Sequence, residues 1–156
     1  MTEMQFTMKP IGYVRGGRSE ATKDHWGDNR SRIELDAKEF GPEALAGLDQ
    51  LSHIEVFFVF HLHADEPTEQ GARHPRDRAD WPKVGIFAQR GRMRPNRIGF
   101  TTCRVVAVKG ANIEVEGLDA VDGTPVLDIK PVWSGNALRG EFREPQWAKE
   151  LMANYW

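Results

Sequence analysis

The seven residues Ile54-Glu55-Val56-Phe57-Phe58-Val59-Phe60 constrain the fold more than any other stretch of this sequence. β-Branched and aromatic side chains fill a run that is bounded by polar groups and too short for a typical helix, so it reads as a central strand. Its longest apolar part, Val56 to Phe60, falls far short of the roughly 20 residues that a helix needs to cross a bilayer, and no membrane crossing is expected. Such a strand needs partners, and the sequence offers them in short pieces. Phe6 and Met8 alternate before Pro10, which predicts a broken edge strand over Phe6 to Arg15, and Arg32-Ile33-Glu34-Leu35 predicts a second. Val84 to Phe87 resembles another strand. Phe100 to Val108 alternates into the turn Lys109-Gly110-Ala111-Asn112 and out through Ile113 to Glu116, which is a hairpin. Val126 to Ile129 follows the turn Asp122-Gly123-Thr124-Pro125. Gly41-Pro42-Glu43 ahead of Leu45, Leu48 and Leu51 predicts a short helix, and Trp147, Leu151 and Tyr155 at spacing four predict a terminal amphipathic one.

Fifteen Gly and nine Pro, against an average near 12% of a chain for the two together, favour many turns and short strands. The fold class that follows is predominantly β: a small β-barrel with short helices and a C-terminal helix. A doubly wound sheet would show long alternating helices. One domain is expected over residues 1–156, with 134–156 as a C-terminal helical extension. A chain of 156 residues hides roughly 70% of its unfolded surface, so its core needs no disulfide, metal or lipid. The opening Met-Thr-Glu-Met-Gln-Phe lacks the order of a signal peptide and the single Cys103 cannot pair internally, which fits a reducing, cytoplasmic setting.

Charge is unevenly spread. Trp81 to Gly110 holds seven of the 21 basic residues and none of the 23 acids, leaving the remainder with 14 positive against 23 negative charges. Arginine matches phosphate and carboxylate through paired hydrogen bonds. A solvated loop would also carry charge, yet Arg90, Arg92 and Arg94 have no acid near in sequence, which favours anion binding. The almost wholly polar stretch between Asp65 and Asp80, with two Pro, marks a long loop. His61 and His63 end the apolar strand two apart and would share a face of an extended backbone, with Asp65 or His74 as further metal ligands. Their spacing matches no recognised zinc motif, so they read as the polar finish of a buried strand and no metal is assigned. Cys103 reads as a packed thiol. Asp119, Asp122 and Asp128 surround the Gly-Thr-Pro turn, where carboxylates could meet ribose hydroxyls or simply form the turn. Asp128 in an apolar strand calls for a partner, and Lys130 would supply a local ion pair. Neither G-x-G-x-x-G nor G-x-x-x-x-G-K-[ST] occurs.

The segment Gly85-Ile86-Phe87-Ala88-Gln89-Arg90-Gly91-Arg92-Met93-Arg94-Pro95-Asn96-Arg97-Ile98-Gly99, followed by Asp122-Gly123-Thr124-Pro125-Val126-Leu127-Asp128-Ile129-Lys130-Pro131, resembles the TsaA-like family, which includes the TrmO tRNA methyltransferases. The likeness runs from Pro10-Ile11-Gly12 through Phe60-His61 to Pro131. Where the family reads F-A-T-R-S-P-x-R-P-N-P-I-G, this sequence has Gln89, Gly91, Arg92 and Arg97 in place of Thr, Ser, Pro and Pro. Trp26-Gly27-Asp28-Asn29-Arg30 stands in place of a Pro-Arg-Gln motif.

The resemblance implies a non-Rossmann barrel methyltransferase that binds S-adenosylmethionine, forms a homodimer with the ligand near the subunit interface, and acts on tRNA at N6 of threonylcarbamoyladenosine beside the anticodon or on a related acceptor. A module that binds S-adenosylmethionine and RNA without transfer is the alternative. The resemblance further implies that Arg90 meets the donor's methionine carboxylate, and that the backbone around His61-Leu62 and Asp119-Ala120-Val121-Asp122 holds adenosine. Trp26, Gly27, Asp28 and Phe100 would form the pocket wall. Arg92, Arg94, Asn96 and Arg97 fall on the phosphate or acceptor side, while Asp122, Asp128 and Lys130 are the candidates for organising the turn and orienting a nucleophile.

Overall fold

In the computed structural model, which describes residues 2–156, the short strands close into a barrel. It is built from β1 (Gly12–Arg15), β2 (Arg30–Leu35), β3 (His53–Val59), β6 (Ile98–Lys109), β7 (Asn112–Glu116) and β8 (Pro125–Pro131). A separate two-stranded ribbon holds β4 (Ala72–Arg73) and β5 (Val84–Gly85). The order around the barrel is β1-β2-β7-β6-β3-β8, with every neighbouring pair antiparallel. Closure leaves no long edge open to another chain.

Strand periodicity sets the core. In β3, Ile54, Val56 and Phe58 are buried while Glu55, Phe57 and Val59 are only partly covered. Val14, Ile33, Ile113, Val115 and Val126 meet them inside the barrel, together with Cys103. Each such aliphatic side chain contributes about 1.5 to 3 kcal/mol by leaving water. Among the described residues no helix is long and apolar enough to cross a membrane.

Several elements depart from the sequence pattern. The first strand starts at Gly12, and Phe6 and Met8 are exposed. Pro10 has no N–H to donate, so the ladder on this side ends at Ile11, whose N–H reaches the Val126 carbonyl at 2.8 Å. The helix expected after Gly41 resolves into two 3-10 turns, Pro42–Leu45 and Leu48–Gln50, separated at Gly47, whose φ of 88° cannot continue a helix. Only Val84–Gly85 of the expected 84–87 strand is extended, before a 3-10 turn at Ile86–Ala88. Helix α1 (Gln146–Met152) stops short of Tyr155, and between residues 134 and 145 the only helical piece is the 3-10 turn Ser134–Asn136.

Register decides which connections meet. Arg15 lies opposite Arg32, Arg30 opposite Glu116, Val59 opposite Ile98, and Tyr13 opposite Pro125. The connections 16–29, 60–97 and 117–124 therefore all leave from one mouth of the barrel. The tight 109–112 turn and the 36–52 segment lie at the other.

Candidate functional site

The three mouth connections carry every residue assigned to the donor except Phe100, which is the third residue of β6. The last of these connections is anchored by Leu118, Ala120 and Val121, all buried, which leaves Asp119 between them at the rim. The Asp119 carboxylate is half-buried. The Thr101 hydroxyl donates to one of its oxygens and the Tyr155 phenol to the other. Burial, with the charge of Asp119, pushes the Tyr155 phenol far above its ordinary value, while Arg90 and Arg76 pull the other way. Tyr155 thus keeps its proton and acts as a donor, and both guanidiniums lie within electrostatic reach of the pair.

Asp122 is exposed, and its Oδ1 accepts the Gly16 N–H at 2.8 Å. Its own N–H donates to the Arg18 carbonyl at 2.8 Å, and the Gly123 N–H to the Val14 carbonyl at 2.7 Å. The Asp-Gly-Thr turn thereby ties two connections together. Gly123 has a φ of 87°, a conformation that favours glycine, and a Cβ there would lie 3.9 Å from His61 Nε2. His61, from the 60–97 connection, stands against that turn, with the exposed Leu62 beside it in sequence.

Arg90 projects over the Phe100 ring, 5.8 Å from its centroid, and donates to the Phe100 carbonyl at 2.7 Å. Phe100 in turn tilts against Phe57, with centroids 5.0 Å apart. Trp26 is buried beneath the Arg18 guanidinium, 4.6 Å from its ring centroid, and donates its indole N–H to the Thr22 carbonyl at 3.1 Å. The main-chain N–H groups of His25 and Trp26 reach the carbonyls of Asn154 and Tyr155 at 2.9 and 2.7 Å. A Cβ on Gly27 would meet the Trp156 carbonyl carbon at 2.8 Å, so the two segments pack backbone to backbone. Asp28 is exposed.

Other expected residues lie apart. Asp128 and Lys130 face outward on β8, both exposed and paired with each other at 3.2 Å. The charge that needed a buried partner is thus a solvated one. Asp128 lies opposite Phe57, which lies opposite Phe100, so it is two strand spacings, about 10 Å, from the aromatic ring's strand. His61 and His63 share no strand face because β3 ends at Val59; His63 is left-handed at φ 58° and pairs with Glu66 at 3.0 Å. Among the described residues no three His, Cys, Asp or Glu side chains gather as metal ligands do.

Of the seven cations in the basic segment, Arg104 pairs with Glu116 at 2.7 Å and Lys109 with Glu114 at 2.9 Å. Lys83, Arg90, Arg92, Arg94 and Arg97 pair with no acid among the described residues. Arg94 donates to the Gln89 carbonyl at 2.7 Å and Arg97 to the Glu66 carbonyl. Asn96 and Arg97 are both left-handed, at φ 63° and 51°.

The sequence reading missed Thr101 and Tyr155. Thr101 is buried between Gly99 and Cys103 on the inward face of β6, and a buried hydroxyl at such a position signals a partner. Tyr155 has no local signal, being 36 residues from Asp119 and outside the helix whose spacing it continued.

The fold defines a class, the small closed antiparallel barrel, here with polar and charged groups on the connections at one mouth. Residues 22–135 match the family model described as the tRNA-methyltransferase O N-terminal domain, and the chain belongs to that family. It is 37% identical over 112 residues to the tRNA (adenine(37)-N6)-methyltransferase of Homo sapiens, covering 72% of this chain and 24% of that protein. It is 32% identical over 137 residues to a protein of Methanothermobacter thermautotrophicus named "Probable S-adenosyl-L-methionine-binding protein", covering 85% of this chain and 94% of that one. The crystal structure of TrmO from Pseudomonas aeruginosa superposes with a TM-score of 0.72 at 30% identity, over 90% of this chain and 62% of that one. The chain thus spans about a quarter of the human relative and under two thirds of the crystallised one.

Proposed function

We propose that this chain is an S-adenosylmethionine-dependent methyltransferase acting on tRNA, at N6 of an adenine beside the anticodon. The observation that carries this reading is an acid-free Arg90, seated over Phe100 at one mouth of a barrel of this family and within electrostatic reach of the Tyr155–Asp119 pair.

The residues suit the donor. Arg90 gives one N–H to a carbonyl and keeps others for a carboxylate. Asp119 holds two hydroxyls and, with about four lone-pair sites, retains acceptor capacity for a ribose. Phe100, about a third exposed, offers a face to an adenine ring. When bound, the donor supplies a methyl group activated on a cationic sulfur. The chain's task is then to orient and to exclude water. His61 and the Asp122-Gly123 turn, from different connections, brace one side of the site. We assign Asp122, whose Oδ1 accepts the Gly16 N–H, the role of accepting a proton from an attacking amine, in preference to Asp128, which is paired with Lys130 on the outer face of β8. Arg92, Arg94, Asn96 and Arg97 face the acceptor's phosphates. The reading includes a homodimer with the donor near the subunit interface, on the outer face of β3 and β6 where Phe57 and Phe100 remain partly uncovered, and a cytoplasmic setting.

The Methanothermobacter relative, matched over nearly its whole length, supports a second reading in which the barrel binds the donor without transferring from it. Incubating the protein with donor labelled at the methyl group and total tRNA separates the two. Label in tRNA is expected. Donor binding without transfer to any acceptor would select the second reading, and no donor binding would overturn both.

A further inference from the structure

We propose that Tyr155 is a positioning residue of the donor site, holding the Asp119 carboxylate, jointly with Thr101, in the orientation that receives the donor's ribose hydroxyls. This rests on reading the barrel mouth as the S-adenosylmethionine site. A half-buried carboxylate on a connection would otherwise turn about its side-chain bonds, and an aspartate that receives a ligand must be held within a fraction of an ångström. Here each oxygen is fastened by a different hydroxyl, one from β6 and the other from the segment after α1. One donor on each oxygen leaves acceptor capacity on both, which suits two neighbouring hydroxyls.

The phenolic oxygen is not needed to dock its own segment. Residues 154 and 155 are already held through their carbonyls by the His25 and Trp26 N–H groups, and α1 is held by the Trp81 indole, which donates to Glu150 at 2.7 Å. The ring of Tyr155 also packs edge-on against Trp156, with centroids 4.8 Å apart. What the hydroxyl adds is its bond to Asp119. Burial keeps that hydroxyl protonated, so it remains a donor across the working pH range.

The test is a double-mutant cycle on the full chain, read as the Kd for S-adenosylmethionine by calorimetry, with thermal unfolding followed in parallel. Tyr155→Phe is expected to weaken binding about tenfold with little loss of melting temperature. In an Asp119→Ala background, where the carboxylate is gone, the same change should have no further effect. Thr101→Ser, which keeps the hydroxyl, should bind as the wild type does, whereas Thr101→Val should not. Unchanged binding by Tyr155→Phe, an undiminished effect in the Asp119→Ala background, or tighter binding, as expected of a segment that competes with the donor, would each overturn the proposal while leaving the site reading intact. Absence of donor binding by the wild type would overturn the site reading and this proposal with it.

Discussion

Single side chains feel the barrel strongly, and Cys103 is the simplest case. Its thiol is 2% exposed, and burial, with the Asp119 charge, pushes it up to about 12. The thiolate is the reactive form, so iodoacetamide at about pH 8 should leave the folded protein unmodified and label it fully once denatured, as intact mass reports. Rapid labelling of native protein would mean that the barrel opens readily. Arg90 tests the proposed donor contact. Arg90→Ala removes a charge-assisted hydrogen bond from an exposed side chain, so S-adenosylmethionine affinity should fall roughly tenfold or more with the melting temperature nearly unchanged. Unaltered affinity would exclude the carboxylate contact. Arg97 occupies a position where the family reads Pro, and the backbone explains why Pro cannot be restored. Proline is locked near φ −65°, whereas residue 97 sits at 51° and donates its N–H to the Arg94 carbonyl at 3.1 Å. Arg97→Pro should therefore destabilise by about 3 kcal/mol in urea unfolding.

At the level of elements, what was legible was what is local. The period of two located β2, β3, the β6–β7 hairpin and β8 to within a few residues, because alternation and turn chemistry are written in consecutive residues. Partner choice is not written that way. Nothing in Gly12 to Arg15 announces that β1 pairs with β8, more than a hundred residues on, and closes the barrel. The leucines after Gly41 look helical by spacing, but Gly47 lies between them and only Leu45 is buried. The residues of the candidate site divide likewise. Arg90, Asp119 and Asp122 were reached through motifs that share a connection with them, while Tyr155 arrives from a distant segment that only the fold brings near. Those connections are also bound to one another, as Asp24 and Arg76 show, pairing at 2.9 Å across 52 residues. The Arg76 guanidinium holds the Asp24 carboxyl below its usual range. A depressed carboxylate stabilises the fold above its unfolded value, near 3.9, and that contribution is lost as pH falls through the lowered folded value. Asp24→Asn should thus cost stability at neutral pH and flatten the acid limb of a urea-midpoint curve. The comparison is with the wild-type curve, since Asp80 and Glu116 are also lowered. Parallel curves for the two proteins would show that the pair contributes nothing between the connections.

For the molecule as a whole, a net charge of -2 hides a division of labour among its cations. On the barrel wall they are neutralised: Arg30 and Arg104 both bind Glu116, and Lys109 binds Glu114. On the last stretch of the connection into β6, residues 90–97, they are not, since Arg92, Arg94 and Arg97 have carbonyls or solvent as partners, whereas Arg73, Arg76 and Arg78 farther back are paired with acids. A polyanion gains more from the second set, because a cation already paired must first give up its carboxylate. Each phosphate neutralised releases a condensed counterion and adds about 0.7 to 0.9 to the slope of log K against log salt. Filter binding of tRNA between roughly 50 and 200 mM salt should therefore show a slope that falls by about one in Arg92→Gln and again in Arg94→Gln, with donor affinity unchanged. Arg104→Gln, which removes a charge of the same sign from the wall, should leave the slope as it was. If all three variants lose the same increment, long-range charge rather than the mouth governs RNA binding. If none does, the acid-free arginines serve the connection's own geometry, through the Gln89 and Glu66 carbonyls they hold, and the acceptor approaches from another side.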